Sequence, residues 1–114
     1  MTNNNLFFLV KDQNGGFHKV NRADILFVKS IGNYLQFTTN SGSFTTYGSL
    51  QSLQTVLEPD ARFMQIHRSF IVNLEMVTHL TSEAITINNQ QVPIGRKFLD
   101  ALKSGFVQTN LIIL

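Results

Sequence analysis

The residues with the plainest chemistry are His67, Arg68 and Ser69, three consecutive polar side chains inside the otherwise apolar stretch FMQIHRSFIVN. An alternating strand can hide some polar side chains but not three in a row, so this triplet belongs where the backbone turns out of the core and faces a partner. Arg offers a planar fork of donors, Ser a hydroxyl, and His a ring that donates or accepts. That combination suits reading a polyanion. A second basic pair, Arg96 and Lys97, follows Gly95 at the start of the predicted last helix. Cations are disfavoured there by the helix dipole, and a bound phosphate would reverse the sign. The competing reading is that both are solvated, or that Arg96 pairs with Asp100 one turn on. A third group, Lys29, Asn33 and Tyr34, brackets the turn Ile31-Gly32-Asn33, where Lys29 attracts phosphate. Tyr34 fits that role or a half-buried cross-strand aromatic equally well. His67 also has two readings: a contact residue, or, the one preferred, a core histidine bonded to a nearby carbonyl.

Catalytic constellations are absent from the sequence. His18, His67 and His79 are scattered without metal-ligand spacing, no paired carboxylates or Cys nucleophile occur, and neither a glycine-rich phosphate loop nor a dinucleotide fingerprint is present. The chain reads as a non-enzyme that needs no metal or cofactor. Its net charge of +2 is a weak signal for nucleic acid, but the charge is segregated. Lys29, His67, Arg68, Arg96 and Lys97 cluster around three segments, and Glu58, Asp60, Glu75 and Glu83 lie between them.

The rest of the chain supplies the elements that would position these groups. With 114 residues and no Cys, it forms one domain without disulfides. Ten Phe and many β-branched residues beside few charges point to a mainly β protein. Strands over 6–11 and 17–20 flank the Asn14-Gly15 turn of a hairpin. Residues 25–28 are apolar throughout and form a central strand covered on both faces, ending at Lys29-Ser30. Residues 34–38 alternate, with Leu35 and Phe37 inward, and Asn40-Ser41-Gly42 turns the chain into 43–47. Ser49 caps a helix whose core stripe is Leu50, Leu53, Val56 and Leu57, and Pro59 stops it at Glu58. Strands over 76–81, 84–87 and 90–94 follow, the last at an edge or bulge because Pro93 cannot donate to a ladder. Phe98, Leu99, Leu102 and Phe106 carry helical spacing. Residues 1–5 read as a flexible leader, 6–107 as the domain, and 108–114 as an apolar tail of unexplained role. The short apolar runs and the polar leader leave no membrane span or signal peptide, so a cytoplasmic chain is expected.

Three segments in order, FVKSIGNYLQF, HRSFIVN and VPIGRKFLDAL, resemble the LytTR-type DNA-binding domain of bacterial response regulators. The resemblance spans roughly 23–106. It implies small antiparallel sheets in an elongated β arrangement with one or two short helices. It also implies sequence-specific binding of double-stranded DNA for transcriptional regulation, with loops instead of a recognition helix entering successive major grooves. Arg68, Ser69 and Arg96 then take the contact positions, and the loop holding Lys29, Asn33 and Tyr34 enters a groove, with Lys97 beside it. The family further implies a monomer that binds adjacent direct repeats as two copies, and an upstream receiver domain that is missing here. The chain is accordingly either an excised output domain of a two-component system or a stand-alone regulator. A rival from another class is a β-rich interaction module in which Lys29, Arg68 and Arg96 dock an acidic peptide; binding of single strands or RNA through Tyr34 and exposed Phe is a more distant one.

Overall fold

A computed structural model describes residues 7–58 and 60–108, with the side chains of residues 8 and 106–108 outside that description. The leader, Leu6, Pro59 and the apolar end of the tail lie outside the described residues. Ten strands run in chain order as β1 (Phe7–Lys11), β2 (Phe17–Asn21), β3 (Ile25–Ile31), β4 (Tyr34–Thr39), β5 (Gly42–Tyr47), β6 (Phe63–His67), β7 (Phe70–Asn73), β8 (Val77–Leu80), β9 (Ala84–Ile87) and β10 (Gln90–Pro93). Helix α1 (Leu50–Leu57) separates β5 from β6, and α2 (Leu99–Gln108) follows β10. The strands make three antiparallel sheets: β1-β2, a central β5-β4-β3-β7-β6, and β10-β9-β8. The fold is therefore the mainly β arrangement of small sheets with two short helices that the resemblance implies. Its extents are 45 × 37 × 24 Å. No helix among the described residues is long and apolar enough to cross a membrane.

The central sheet is the middle of three layers, as the uninterrupted apolar run of β3 requires. One face, with Ile25, Val28, Leu35, Phe37 and Ile71, packs against Val10 and Val20 of the first hairpin and Leu50, Leu53 and Leu57 of α1. The other, with Phe27, Ile66 and Val72, packs against Ile85, Ile87 and Val92 of the small sheet and Leu102 of α2. Leu26 and Phe27 both join this second core because the ladder to β4 slips between Ile25 and Phe27, a bulge that turns two successive side chains to one side.

Two sharp turns repeat one device. After β2 and again after β7, an Asn side chain accepts a bond two residues on, from Ala23 and from Glu75, and starts a single 3-10 turn into the next strand. Asn73 is fully buried and its amide also donates to the Ile25 carbonyl at 3.0 Å, stitching β7 to the start of β3. The Asn21 turn buries Arg22, whose guanidinium donates to the carbonyls of Val56 and Leu57 at the C-terminal end of α1, the favourable end of that helix for a cation. Asp60 lies 3.7 Å from it and pairs with Arg62 at 2.7 Å.

Local signals placed most boundaries well. Ser49 accepts from the Ser52 N–H, and Glu58 is extended (ψ 145) before Pro59. Pro93 ends β10, an edge strand. Asn88 and Asn89 both take positive φ, 51° and 64°, as a tight hairpin turn requires. Three expectations need correction. Val56 is half exposed, so the buried stripe of α1 is Leu50, Leu53 and Leu57 only. β3 runs on through Lys29 and Ser30 to Ile31, because β7 pairs with it as far as Lys29 and β4 as far as Ile31. Arg96 and Lys97 precede α2 in a separate 3-10 turn (Arg96–Phe98).

Candidate nucleic-acid interface

Topology brings the three basic segments to one end of the central sheet. β3 and β6 are both antiparallel to β7, which lies between them, so both run toward the same edge. The tip of the β3–β4 hairpin and the tip of the β6–β7 hairpin therefore emerge side by side. The Ser30 N–H donates to the Ser69 carbonyl at 2.8 Å and ties them. The chain leaving β10 arrives at the same place, where the Gly95 N–H donates to the Ile66 carbonyl at 2.7 Å. That approach needs glycine. A Cβ on Gly95 would lie 2.8 Å from the Phe98 ring and 3.5 Å from the Cα of His67.

Arg68 is exposed at the tip of the β6–β7 turn, and Ser69 beside it is half-buried. The Ser69 N–H donates to Nδ1 of His67 at 3.0 Å, and the His67 carbonyl accepts from the Gln65 side chain at 3.1 Å. His67 thus braces its own turn as an acceptor, where the expected core histidine would have donated to a carbonyl. In neutral imidazole this bond leaves the proton on Nε2. The ring also meets Phe70 edge-on, with centroids 5.6 Å apart.

Lys29 sits on β3, opposite Gln36 and Phe70, and Tyr34 opens β4, so of the three only Asn33 lies in the turn. Its ammonium lies 5.8 Å from the Phe70 ring centre, a loose cation–π distance that leaves the charge exposed. Phe70 in turn leans on Phe27 of the core, 6.2 Å between centroids. It joins Lys29, the His67 turn and the core, a role that the sequence reading missed although its place directly after Arg68-Ser69 was a usable signal. Asn33 is exposed, and its carbonyl accepts from the Gly48 N–H at 3.0 Å. Tyr34 is exposed and packs edge-on against Tyr47 of β5 at 5.2 Å, so the cross-strand aromatic reading holds alongside any contact role.

Arg96 and Lys97 are exposed on the 3-10 turn, Lys97 with its ammonium 5.4 Å from the Phe98 ring. Gly95 supplies no side-chain cap to this turn. The ion pairs among the described residues join Asp12 to His18 and Asp60 to Arg22 and Arg62. Lys29, Arg68, Arg96 and Lys97 take part in none, and the Arg96–Asp100 pair does not form. One end of the molecule therefore presents four cations that join no ion pair, with a serine, an asparagine and a tyrosine, on turns and strand ends anchored by backbone bonds. Among the described residues no three His, Cys, Asp or Glu side chains gather as a metal site.

Comparison with known proteins identifies the family. Residues 15–106 match the model of the LytTr DNA-binding domain. The sensory transduction protein LytT of Bacillus anthracis is 31% identical over 90 residues, covering 74% of this chain and 36% of that protein. The transcriptional regulatory protein NatR of Bacillus subtilis is 30% identical over 70 residues, covering 61% of this chain and 30% of that protein. The chain thus spans about a third of the length of the curated relatives it matches. A solved LytTr DNA-binding domain of a Bacillus cereus protein, described as a methyl-accepting/DNA response regulator, superposes with a TM-score of 0.76 at 19% identity, over 88% of this chain and 95% of that one. With the family model covering most of its length, this chain belongs to the LytTR family of DNA-binding domains.

Proposed function

We propose that this domain regulates transcription in the cytoplasm by binding specific duplex DNA sites, inserting the tips of its hairpins and the turn before α2 into major grooves. Arg68 and Arg96 read base edges through the guanidinium fork, with guanine O6 and N7 as the fitting acceptors. Lys29 and Lys97 hold phosphates, Ser69 and Asn33 add neutral hydrogen bonds, and Tyr34 packs at the groove wall. The observation that carries this reading is the convergence of three segments, distant in sequence, on one end of the sheet with all four cations free of carboxylates. Two copies on adjacent direct repeats bring enough contacts for a specific complex, and the domain serves as the output part of a two-component regulator or as a stand-alone one.

Selection on a random duplex library tests the reading, followed by competition. Binding to the selected duplex survives excess random duplex and falls with salt by about 0.9 in log–log slope per phosphate held, or about 1.8 per copy for Lys29 and Lys97. A flat salt profile, or displacement of DNA by an acidic peptide, would favour the peptide-docking alternative. Sedimentation on duplexes with one or two repeats reads the stoichiometry.

A further inference from the structure

Beside the β3–β4 tip, which Tyr47 and Gly48 adjoin, the surface feature left without a role is apolar. β1 pairs in a ladder with β2 alone, its end tied to β5 where the Thr46 hydroxyl donates to the Lys11 carbonyl, and beside it runs a groove whose other wall is α1. Leu35, Phe37 and Leu53 of the core form its floor, and Leu9 and Val56 stand on the two banks, 66% and 50% exposed. Among the described residues, Lys11 is the one charged side chain lining it. Strand alternation carries the same character across the outer face of the hairpin, where Phe7, Leu9 and Lys11 pair with Asn21, Lys19 and Phe17. Phe17 is 63% exposed, and the Lys19 ammonium lies 4.5 Å from the Phe7 ring centre. Neither the groove lining nor the paired residues of that face include a carboxylate. Asp12, next in sequence, is turned into its own loop by bonds from the Asn14 and Gly16 N–H groups and by His18. Single exposed apolar residues are ordinary; a contiguous set around a groove, rimmed by one sign of charge, marks a contact surface.

We infer that this groove and hairpin face dock a segment of another protein that carries carboxylates beside apolar side chains. The apolar side chains enter between β1 and α1, and the carboxylates meet Lys11 and Lys19. Charge selects this occupant over the others. In a two-fold contact, a second copy would set the same lysines against each other with no acid between them. Duplex DNA would satisfy the lysines but leave Leu9, Phe17 and Val56 against a polar backbone.

The probe is a synthetic amphipathic peptide with a leucine stripe flanked by Glu, alongside its Lys-for-Glu counterpart, each titrated into the ¹⁵N-labelled domain. The Glu peptide is expected to shift amides of β1, β2 and α1, and the Lys peptide to leave them in place. The double variant Leu9→Ser with Val56→Ser weakens peptide binding at least tenfold, as does Lys11→Glu with Lys19→Glu. The Leu9→Ser, Val56→Ser protein keeps its affinity for the selected duplex, which establishes that it is folded and separates this surface from the DNA-reading end. Absence of shifts with the Glu peptide, equal binding of the Lys peptide, or self-association abolished by the same double variant each overturns the inference.

Discussion

Gly95→Ala tests whether the contact between Gly95 and β6 positions Arg96. Gly95 has φ −70° and ψ 137°, which alanine adopts without strain, so the backbone itself raises no objection. In the unfolded chain, alanine at such a position is worth about 0.4–1 kcal/mol in the protein's favour. The steric term runs the other way. The new Cβ would lie 2.8 Å from the Phe98 ring, and reaching the 3.4 Å of ordinary contact requires a shift of 0.6 Å. The Cα of His67, 3.5 Å away on β6, and the Gly95–Ile66 bond hold the other side, so Phe98 moves. Overpacking of this kind costs about 1–3 kcal/mol, leaving a net loss of about 1 kcal/mol. Phe98 belongs to the same short turn as Arg96 and donates its N–H to the Gly95 carbonyl at 2.9 Å, so its displacement carries Arg96 along. Thermal unfolding should therefore drop by about 4 °C, and affinity for the selected duplex by about tenfold, with preference relaxed where Arg96 reads. Phe98→Leu in the Gly95→Ala background shortens the obstructing side chain and should restore both, giving a favourable coupling in a double-mutant cycle. A variant that loses the expected stability yet binds the duplex with unchanged affinity and preference would refute the claim that this contact positions Arg96. Failure of Phe98→Leu to restore stability would refute the steric account.

Arg68→Ala and Arg96→Ala should each cost about 1–3 kcal/mol on the selected duplex and relax preference at one position, measured by anisotropy and repeated selection on variants that keep the parent's thermal midpoint. Lys97→Ala should weaken all sequences alike and reduce the salt slope by about 0.9. Asn73→Ala removes the bonds to Ile25 and Glu75 from a fully buried site and should cost about 2–3 kcal/mol by urea denaturation; a loss below about 0.5 would mean that this stitch is dispensable. Asp60 supplies an acid-sensitive term: its hydrogen bond from Arg62, helped by the charges of Arg62 and Arg22 against partial burial, holds its carboxyl below the usual 3.8. Because the folded value is depressed, that stabilisation is present above about pH 4 and is lost as pH falls through the folded value. Asp60→Asn should lower the urea midpoint at pH 7, approach the parent as pH falls through the folded value of Asp60, and show a shallower acid decline; parallel declines would exclude Asp60 as the source.

Much of the fold was legible because β structure built from hairpins writes its turns locally. Asn88-Asn89, Gly15, Ser49 and Glu58 before Pro59 each meet a stereochemical need that only neighbouring residues decide. What escaped depends on partners distant in the chain. β3 reaches Ile31 because β4 pairs with it to that point, and Val56 is exposed because the first hairpin stops short of it, leaving the groove. Nothing near Arg22 in sequence marks it for burial, yet it is buried because the end of α1, some 35 residues on, offers it two carbonyls.

The candidate site divides along the same line. Residue types at Arg68, Ser69, Arg96 and Lys97 suggested the anion-reading role proposed for them, but their common position follows from β3 and β6 running the same way on either side of β7. This bears on how turns can substitute for a recognition helix. A helix presents side chains on a backbone rigid by its own bonds, whereas a turn must borrow rigidity, and each loosely held turn loses about 1–2 kcal/mol per residue ordered on binding. Here the borrowing is visible: Ser30 to Ser69, Gly95 to Ile66, Ser69 to His67 and Gly48 to Asn33 each fix one tip to a neighbouring segment or to its own base. Backbone groups make most of these ties, so the side chains at the tips remain free to differ while the tips stay in place. On the reading proposed here, base preference can therefore change through Arg68 or Arg96 without unmaking the scaffold, and the residues intolerant of change are Gly95, Phe70 and Asn73, which need never touch DNA.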